Sequence, residues 1–381
     1  MRAVLLWFLL LPVAVPAAEP AFAGSRPITL EEALRRAEEI SPAGRAIVLG
    51  IERARAEVTA AGLWPDPEAE IVREESAGTV ERFQVLSVPV VLTGRLGLER
   101  ASARAGVTAA EAAAGRERAI LRASVRAAFL DLVLAQEKAE ILAEGRSRLA
   151  ELVEILRIRE REGESSGFDR MRAERELADV EADFLDSRGA LEGARAVLAA
   201  AVVLPSEGLT AVGSLDPAGS LSARDRVLEL AQSRGDVLAL DARAESADLL
   251  ARAARRRAVP EPSITAGRKT TEEGPLEDGG PVYGVSFSIP VFDRGQGLRA
   301  IAGADANLLR ASRQALALRV AAEAETAYSE AIASREAEAA YAAAGDPEEL
   351  IAIATAAYEG GAMRILELLD AHRTALAARL R

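Results

Sequence analysis

The sequence predicts an α+β fold that is mainly helical, with one unit (helix, β-hairpin, long coiled coil) used twice. Three observations carry that reading. Landmarks recur at a near-constant offset. Val88-Pro89-Val90-Val91-Leu92-Thr93-Gly94-Arg95 returns as Ile289-Pro290-Val291-Phe292-Asp293-Arg294-Gly295-Gln296. Trp64-Pro65-Asp66-Pro67 returns as Val259-Pro260-Glu261-Pro262, and Gly163, Ala173 and Arg175 as Gly361, Ala371 and Arg373. Spacings this consistent mark tandem duplication of about half the chain. Period-two alternation near Tyr283 marks strands, and a long 3.5-residue apolar seam from Leu121 marks a coiled coil.

The chain opens with Met1-Arg2, an apolar run from Ala3 to Val15, and small residues. This order is that of a secretory leader over residues 1–23, with cleavage expected after Ala17 or Ala23. The run is too short to span a bilayer comfortably, and no other segment approaches the ~20 apolar residues needed. An exported chain of this kind enters a membrane only through strands.

The first repeat is expected over 24–205 and the second over 206–381. Ile28 to Gly62 reads as helix, with Thr29 as N-cap before Leu30-Glu31-Glu32. Ser222 to Arg257 is its counterpart. Both stop at a Pro-x-Pro motif, because proline ends helices and extends the chain before it.

A hairpin follows each stop, over about 68–92 and about 263–293. In the second, Tyr283, Val285, Phe287, Ile289 and Val291 alternate with Gly284, Ser286, Ser288 and Pro290, which gives a strand with one oily face. Ser263 to Lys269 is the expected partner, and the Gly-rich, acidic stretch Thr270 to Pro281 reads as a loop. In the first hairpin, Ala69–Glu75 and Arg82–Val91 are joined by a turn near Gly78, with weaker alternation. A lone hairpin is marginal, so these strands must join others.

Long helices are expected over about 97–203 and 297–381. Steps of four and three from Leu121 pass through Val125, Ala128, Leu132, Ala135, Ala139, Leu142, Arg146, Leu149, Val153 and Leu156, and only Arg146 is polar. The many alanines allow close helix approach. Gly345-Asp346-Pro347 is a candidate interruption in the second copy.

Composition excludes several classes. The net charge is −12, which disfavours nucleic-acid binding. With no cysteine and one histidine, His372, neither thiolate chemistry nor a His/Cys metal cage can be built. No nucleophile elbow, phosphate-cradling loop or His/Cys/Asp cluster points to an enzyme. No cofactor is expected.

The order leader, helix, Pro-x-Pro, hairpin, Pro-containing strand end, coiled coil, Gly, short motif and return helix, all duplicated, resembles the TolC-like outer-membrane efflux proteins. Ile289-Pro290-Val291-Phe292-Asp293-Arg294-Gly295 is similar to a signature of that family, especially of its metal-efflux branch. So is the run from Gly360-Gly361-Ala362-Met363-Arg364 to Ala371-His372-Arg373-Thr374.

The resemblance implies a homotrimer in the outer membrane with a large periplasmic part. Each protomer would give four strands to a twelve-stranded β-barrel, and the helices would continue it as a periplasmic α-helical barrel. Such a passive duct would export small solutes, metal ions or drugs, with a periplasmic adaptor and an inner-membrane pump as partners. The resemblance also implies a periplasmic gate at the helix-to-helix turns. Glu367 and Asp370, three apart and on one helical face, match a constricting acidic ring. Tyr358 matches a tyrosine that helps hold the entrance shut. Asp169 matches an acidic position that pairs with a basic one. The basic position holds Met363 here, so the available partner is Arg364. The competing reading is a soluble periplasmic coiled-coil adaptor, which usually carries one helical hairpin rather than two equivalent units.

Overall fold

The structure is a computed structural model that describes residues 25–215 and 219–381. The leader expected over 1–23 lies outside the described residues. Helices dominate, with strands confined to one four-stranded sheet and one short parallel pair.

The first expected helix is three elements. Strand β1 (Arg26–Ile28) precedes α1 (Leu30–Glu39) and α2 (Pro42–Ala61). Thr29 caps α1 as expected, its hydroxyl accepting from Glu32 N–H at 3.3 Å. The helical period runs straight through Ser41-Pro42, which hides the break. Ser41 caps a new helix there, accepting from Gly44 N–H at 3.0 Å, and Pro42 sits at the first helical position, where its missing N–H costs nothing.

Strands β2 (Glu68–Ser76) and β3 (Thr79–Pro89) form the first hairpin. Its two-residue turn places both Ala77 (φ 51°) and Gly78 (φ 85°) in the left-handed region, as a type I′ turn requires. Helix α3 (Arg95–Glu162) follows. Its 68 residues span ~100 Å at ~1.5 Å per residue. Helix α4 (Gly167–Val202) returns along it, and β4 (Leu209–Ala211) pairs in parallel with β1.

The order then repeats. Helices α5 (Arg224–Gln232) and α6 (Gly235–Arg256) replace the single helix expected from Ser222 to Arg257, split at Ser233-Arg234. Strands β5 (Pro262–Glu273) and β6 (Leu276–Phe287) form the second hairpin. The loop expected over Thr270–Pro281 is corrected here: both flanks lie in strands, and only Gly274-Pro275 turns. The hydrophobic signal fades because both faces at that end are polar, while the hydrogen-bond ladder continues. Three helices complete the chain: α7 (Gln296–Ala342), α8 (Pro347–Glu359) and α9 (Ile365–Arg379). The interruption at Gly345-Asp346-Pro347 separates α7 from α8. Asp346 caps α8 by accepting from Glu348 N–H at 2.9 Å.

The two hairpins join through β3 and β5, giving the antiparallel order β2-β3-β5-β6 with β2 and β6 as open edges. Register sets two chemically distinct faces. Ala69, Leu86, Ala266 and Tyr283 form one row, and Val88, Ile264 and Val285 the next on the same face. The alternate rows hold Glu70, Val85, Gly267 and Val282, then Glu68, Ser87, Thr265 and Gly284. Within β3 and β5, the Leu86/Ile264 face is exposed and the Ser87/Thr265 face half-buried. The apolar side of the sheet is therefore the exposed one and the polar side the sheltered one.

At the foot of the sheet the chain turns into helix at Gly94 (φ 67°) and Gly295 (φ 75°). The end of α6 wedges against both elbows. Arg256 Nη1 donates to Thr93 O at 2.6 Å, and a Cβ on Gly295 would fall 2.2 Å from Ala254 O. Two apolar cores follow along the helices. One gathers Ile28, Leu34, Phe129, Leu132, Leu198 and Leu209 around the β1/β4 pair. The other gathers Leu149, Leu152, Leu156, Val180, Leu368 and Leu369, and docks α9 on α3 and α4. Seam positions Val125, Ala128, Leu132, Leu142, Leu149, Val153 and Leu156 are all buried. No described helix is long and apolar enough to cross a membrane.

Candidate functional site

The helix-to-helix turns furthest from the sheet hold the candidate gate residues. In the first turn α3 ends on Gly163 (φ 79°), and Ser166 starts α4. Asp169 closes a reciprocal cap with Ser166. Its N–H donates to Ser166 Oγ at 3.2 Å, and its carboxylate accepts from Ser166 Oγ at 2.8 Å and from Ser166 N–H at 3.4 Å. In the second turn Gly361 takes φ 74°, and Arg364 precedes α9. Glu367 accepts from the Arg364 backbone N–H at 3.0 Å. Asp169 and Glu367 thus occupy the same third helical position, with the same duty, in the two turns.

Ile365, Leu368 and Leu369 are buried in the second core, which turns Glu367 and Asp370 to the exposed side of α9. Tyr358 packs against that core, half-buried, with the Arg159 guanidinium 5.2 Å above its ring. Arg364 is exposed. Among the described residues no ion pair joins Asp169 to Arg364; within one chain the Asp169 carboxylate turns to its own cap.

Charge ladders stiffen the approach to these turns. Arg170 bonds Glu160 at 2.6 Å and Glu174 at 2.7 Å, while Arg157 bonds Glu174 at 3.0 Å. The hydrogen bond from Arg157, then that from Arg170, holds the Glu174 carboxyl below its ordinary pKa. Between the two hairpins Arg373 Nε donates to Glu176 at 3.0 Å. Two of these pairs cross from α3 to α4, and only Arg170–Glu174, four apart in α4, is readable from sequence. The pair from Arg373 to Glu176 is not, since it joins distant segments.

His372 lies half-buried beside a cavity of about 270 Å³, lined in part by Arg148, Arg159, Ile351, Tyr358 and Leu368. Burial, then the Arg148 charge, lowers its pKa, and Glu348 opposes them. Glu348 in turn bridges Arg148 and Arg379, both at 2.8 Å. Among the described residues no group of three or more His, Cys, Asp or Glu side chains could hold a metal ion.

An open-edged four-stranded sheet with one exposed apolar face is thus prolonged by long coiled coils. The model of the outer membrane efflux protein family matches residues 227–381 of the chain. It is 26% identical over 373 residues to the cobalt-zinc-cadmium resistance protein CzcC of Cupriavidus metallidurans, covering 93% of this chain and 85% of that one. In fold it matches a membrane protein from Pseudomonas aeruginosa with a TM-score of 0.73 at 20% identity, covering 92% of this chain and 88% of that one. The outer membrane protein VceC from Vibrio cholerae matches with a TM-score of 0.70 at 19% identity, covering 92% and 90%. The whole-length fold likeness is to proteins described as membrane or outer-membrane proteins, which weighs against the adaptor reading.

Proposed function

We propose that the chain is one protomer of a passive outer-membrane exit duct in a tripartite efflux system. It carries small solutes from the periplasm, or from an inner-membrane pump, to the exterior. The observation that carries this is the sheet. Four strands of nine to twelve residues leave β2 and β6 unpaired, long enough to span an outer membrane when tilted. Open edges in lipid are not tolerated, so the edges must meet those of other copies. Three copies close a twelve-stranded barrel, and the helices prolong it as a periplasmic tunnel. The chain then reads as two repeats, 24–205 and 206–381, each giving one hairpin and one helical arm.

Metal cations are the favoured cargo class. The name of CzcC ties that relative to cobalt, zinc and cadmium resistance. The polar face of the sheet also carries Glu68, Glu70, Glu74, Glu81 and Asp278 against the single cation Lys269. At the periplasmic entrance, three copies of Glu367 and Asp370 form a ring that draws cations and repels anions. Tyr358, Asp169 and Arg364 support its closed form. A periplasmic adaptor grips the helical end, and the pump supplies the energy.

Planar-bilayer conductance of the purified trimer is the direct test. Cation-preferring channels from a detergent-dependent trimer are expected. A soluble monomer that leaves bilayers silent refutes the reading.

A further inference from the structure

On the exposed apolar face of the sheet the apolar rows give way to two rows that hold arginines, and a last row follows with Glu75, Val80, Glu272 and Glu277. The apolar face runs upward from Ile289, just past the end of β6, through Phe287, Val285 and Tyr283 to Pro281, all exposed. Those eight residue steps cover ~27 Å along a strand, or about 21 Å of membrane depth at a ~40° tilt. A band of that height, bordered at the foot by exposed Trp64, Leu92 and Phe292, is close to the ~25 Å apolar belt of an outer-membrane barrel.

The row at Pro281 holds Ile71, Gln84 and Arg268, and the next row on the same face holds Arg73, Arg82 and Thr270. Three guanidiniums therefore border the upper edge of the band. Arg73 stands directly opposite Arg82, and Arg268 lies on the diagonal from Arg82, within ~7–8 Å. Like charges directly opposite one another are unfavourable. Arg73 and Arg82 are each eased by a glutamate, Glu75 at 3.2 Å and Glu272. Arg268 is exposed and has no carboxylate partner among the described residues. A cation on a lipid-facing surface without a partner of its own is costly unless the lipid supplies one.

We propose that Arg268, with Arg73 and Arg82, binds the phosphate groups of an anionic glycolipid in the outer leaflet. This rests on the outer-membrane reading above, because the hairpin turns Ala77-Gly78 and Gly274-Pro275 lie on the side away from the periplasmic helices. The guanidinium is suited to the task. It stays charged and meets phosphate oxygens two at a time. The site sits at headgroup depth, where the apolar rows stop and such phosphates begin. It anchors the barrel's height in the membrane and orders lipid around the trimer.

The test uses the full-length trimer in detergent with three probes: a phosphorylated glycolipid, its dephosphorylated form, and inorganic phosphate. Retained lipid per trimer is counted by native mass spectrometry, and bilayer conductance is recorded on the same preparations. The wild type should retain the phosphorylated lipid and lose it as salt rises. Arg268→Gln should weaken retention about tenfold, and Arg268→Gln with Arg73→Gln further, with conductance unchanged. Equal retention of the dephosphorylated lipid, equal retention by Arg268→Gln, or full competition by millimolar inorganic phosphate overturns the lipid site while the conducting channel stands. Absence of conductance in the wild type overturns the duct, and with it this site.

Discussion

Asp370→Asn isolates the charge of the entrance from its architecture. The carboxylate is on the exposed side of α9, and the neighbouring turn is held by Glu367 instead. In the proposed trimer the substitution removes three charges without touching a cap or a core. A unit charge ~10 Å from the axis contributes about 0.4 kcal/mol in water, so three contribute about 1.2 kcal/mol to a monovalent cation at the entrance. Unscreened, that is about an eightfold change in local cation occupancy. At ~0.15 M salt the Debye length is ~8 Å, and the same charges are worth about 0.4 kcal/mol, or about twofold. The cation-to-anion permeability ratio should therefore fall modestly at physiological salt and several-fold at ~0.01 M. Glu367→Ala removes an equal charge but also one end of the α9 cap, at roughly 1 kcal/mol. It should loosen the turn to proteolysis, whereas Asp370→Asn should not. A permeability ratio unchanged by Asp370→Asn at low salt would falsify a carboxylate ring at this level.

Two further perturbations test the supporting structure. Gly295→Ala puts a side chain at φ 75°, with its Cβ 2.2 Å from Ala254 O, so it combines left-handed strain of ~1–2 kcal/mol with a backbone clash. A lower melting temperature and a poor yield of trimer are expected, and wild-type melting would show that the elbow gives way freely. His372 has a lowered pKa in the fold, so the unfolded chain binds the extra proton first as pH falls. Stability present above about pH 6.5 should be lost on acidification through the lower folded value. His372→Leu should flatten that limb of a melting-temperature-against-pH curve, and an unchanged slope would place the sensitivity elsewhere.

Legibility followed chemistry that repeats locally. The seam from Leu121 to Leu156 is visible because every helical turn must bury a residue on the same side. Tyr283 to Phe287 are visible because lipid-facing and polar residues must alternate. The same strand before Pro281 is not visible, since Asp278, Gly279 and Gly280 show no alternation of apolar and polar side chains and leave only the backbone ladder. Ser41-Pro42 escapes for another reason: a helix that restarts in phase keeps the period intact. The β1/β4 pair is three residues per strand and joins Ile28 to Ala211 across most of a repeat, so nothing near either strand announces it. Of the entrance, the position of the turns follows from Gly163 and Gly361. The capping duty of Asp169 and Glu367 needed the structure, because a capping carboxylate and a pore-lining one look alike in sequence.

That shared duty changes which residue distinguishes the two halves of the gate. Asp169 and Glu367 are separated by the same 198 positions that separate Gly163 from Gly361, and each closes its own turn. The acidic residue at the start of the return helix is thus common to both copies and answers a local need: an unpaired N–H at a helix start. One turn later the copies diverge, because Asp370 answers to Arg172, and both are exposed. From Glu164 to Glu174 at the proposed entrance this is the exchange of opposite signs between the copies, beside the single-charge differences Glu164/Ala362, Ser166/Arg364, Arg170/Leu368 and Glu174/His372. Arg172→Asp would give both copies an acidic residue at this position. If Arg172 faces the lumen at the level of Asp370, cation preference should rise, by about the amount that Asp370→Asn lowers it and more for two charge units per protomer. Block by external divalent cations should strengthen in parallel. If Arg172 instead faces outward to the adaptor, permeability stays constant while adaptor binding shifts, and the first copy contributes structure rather than selectivity to the gate.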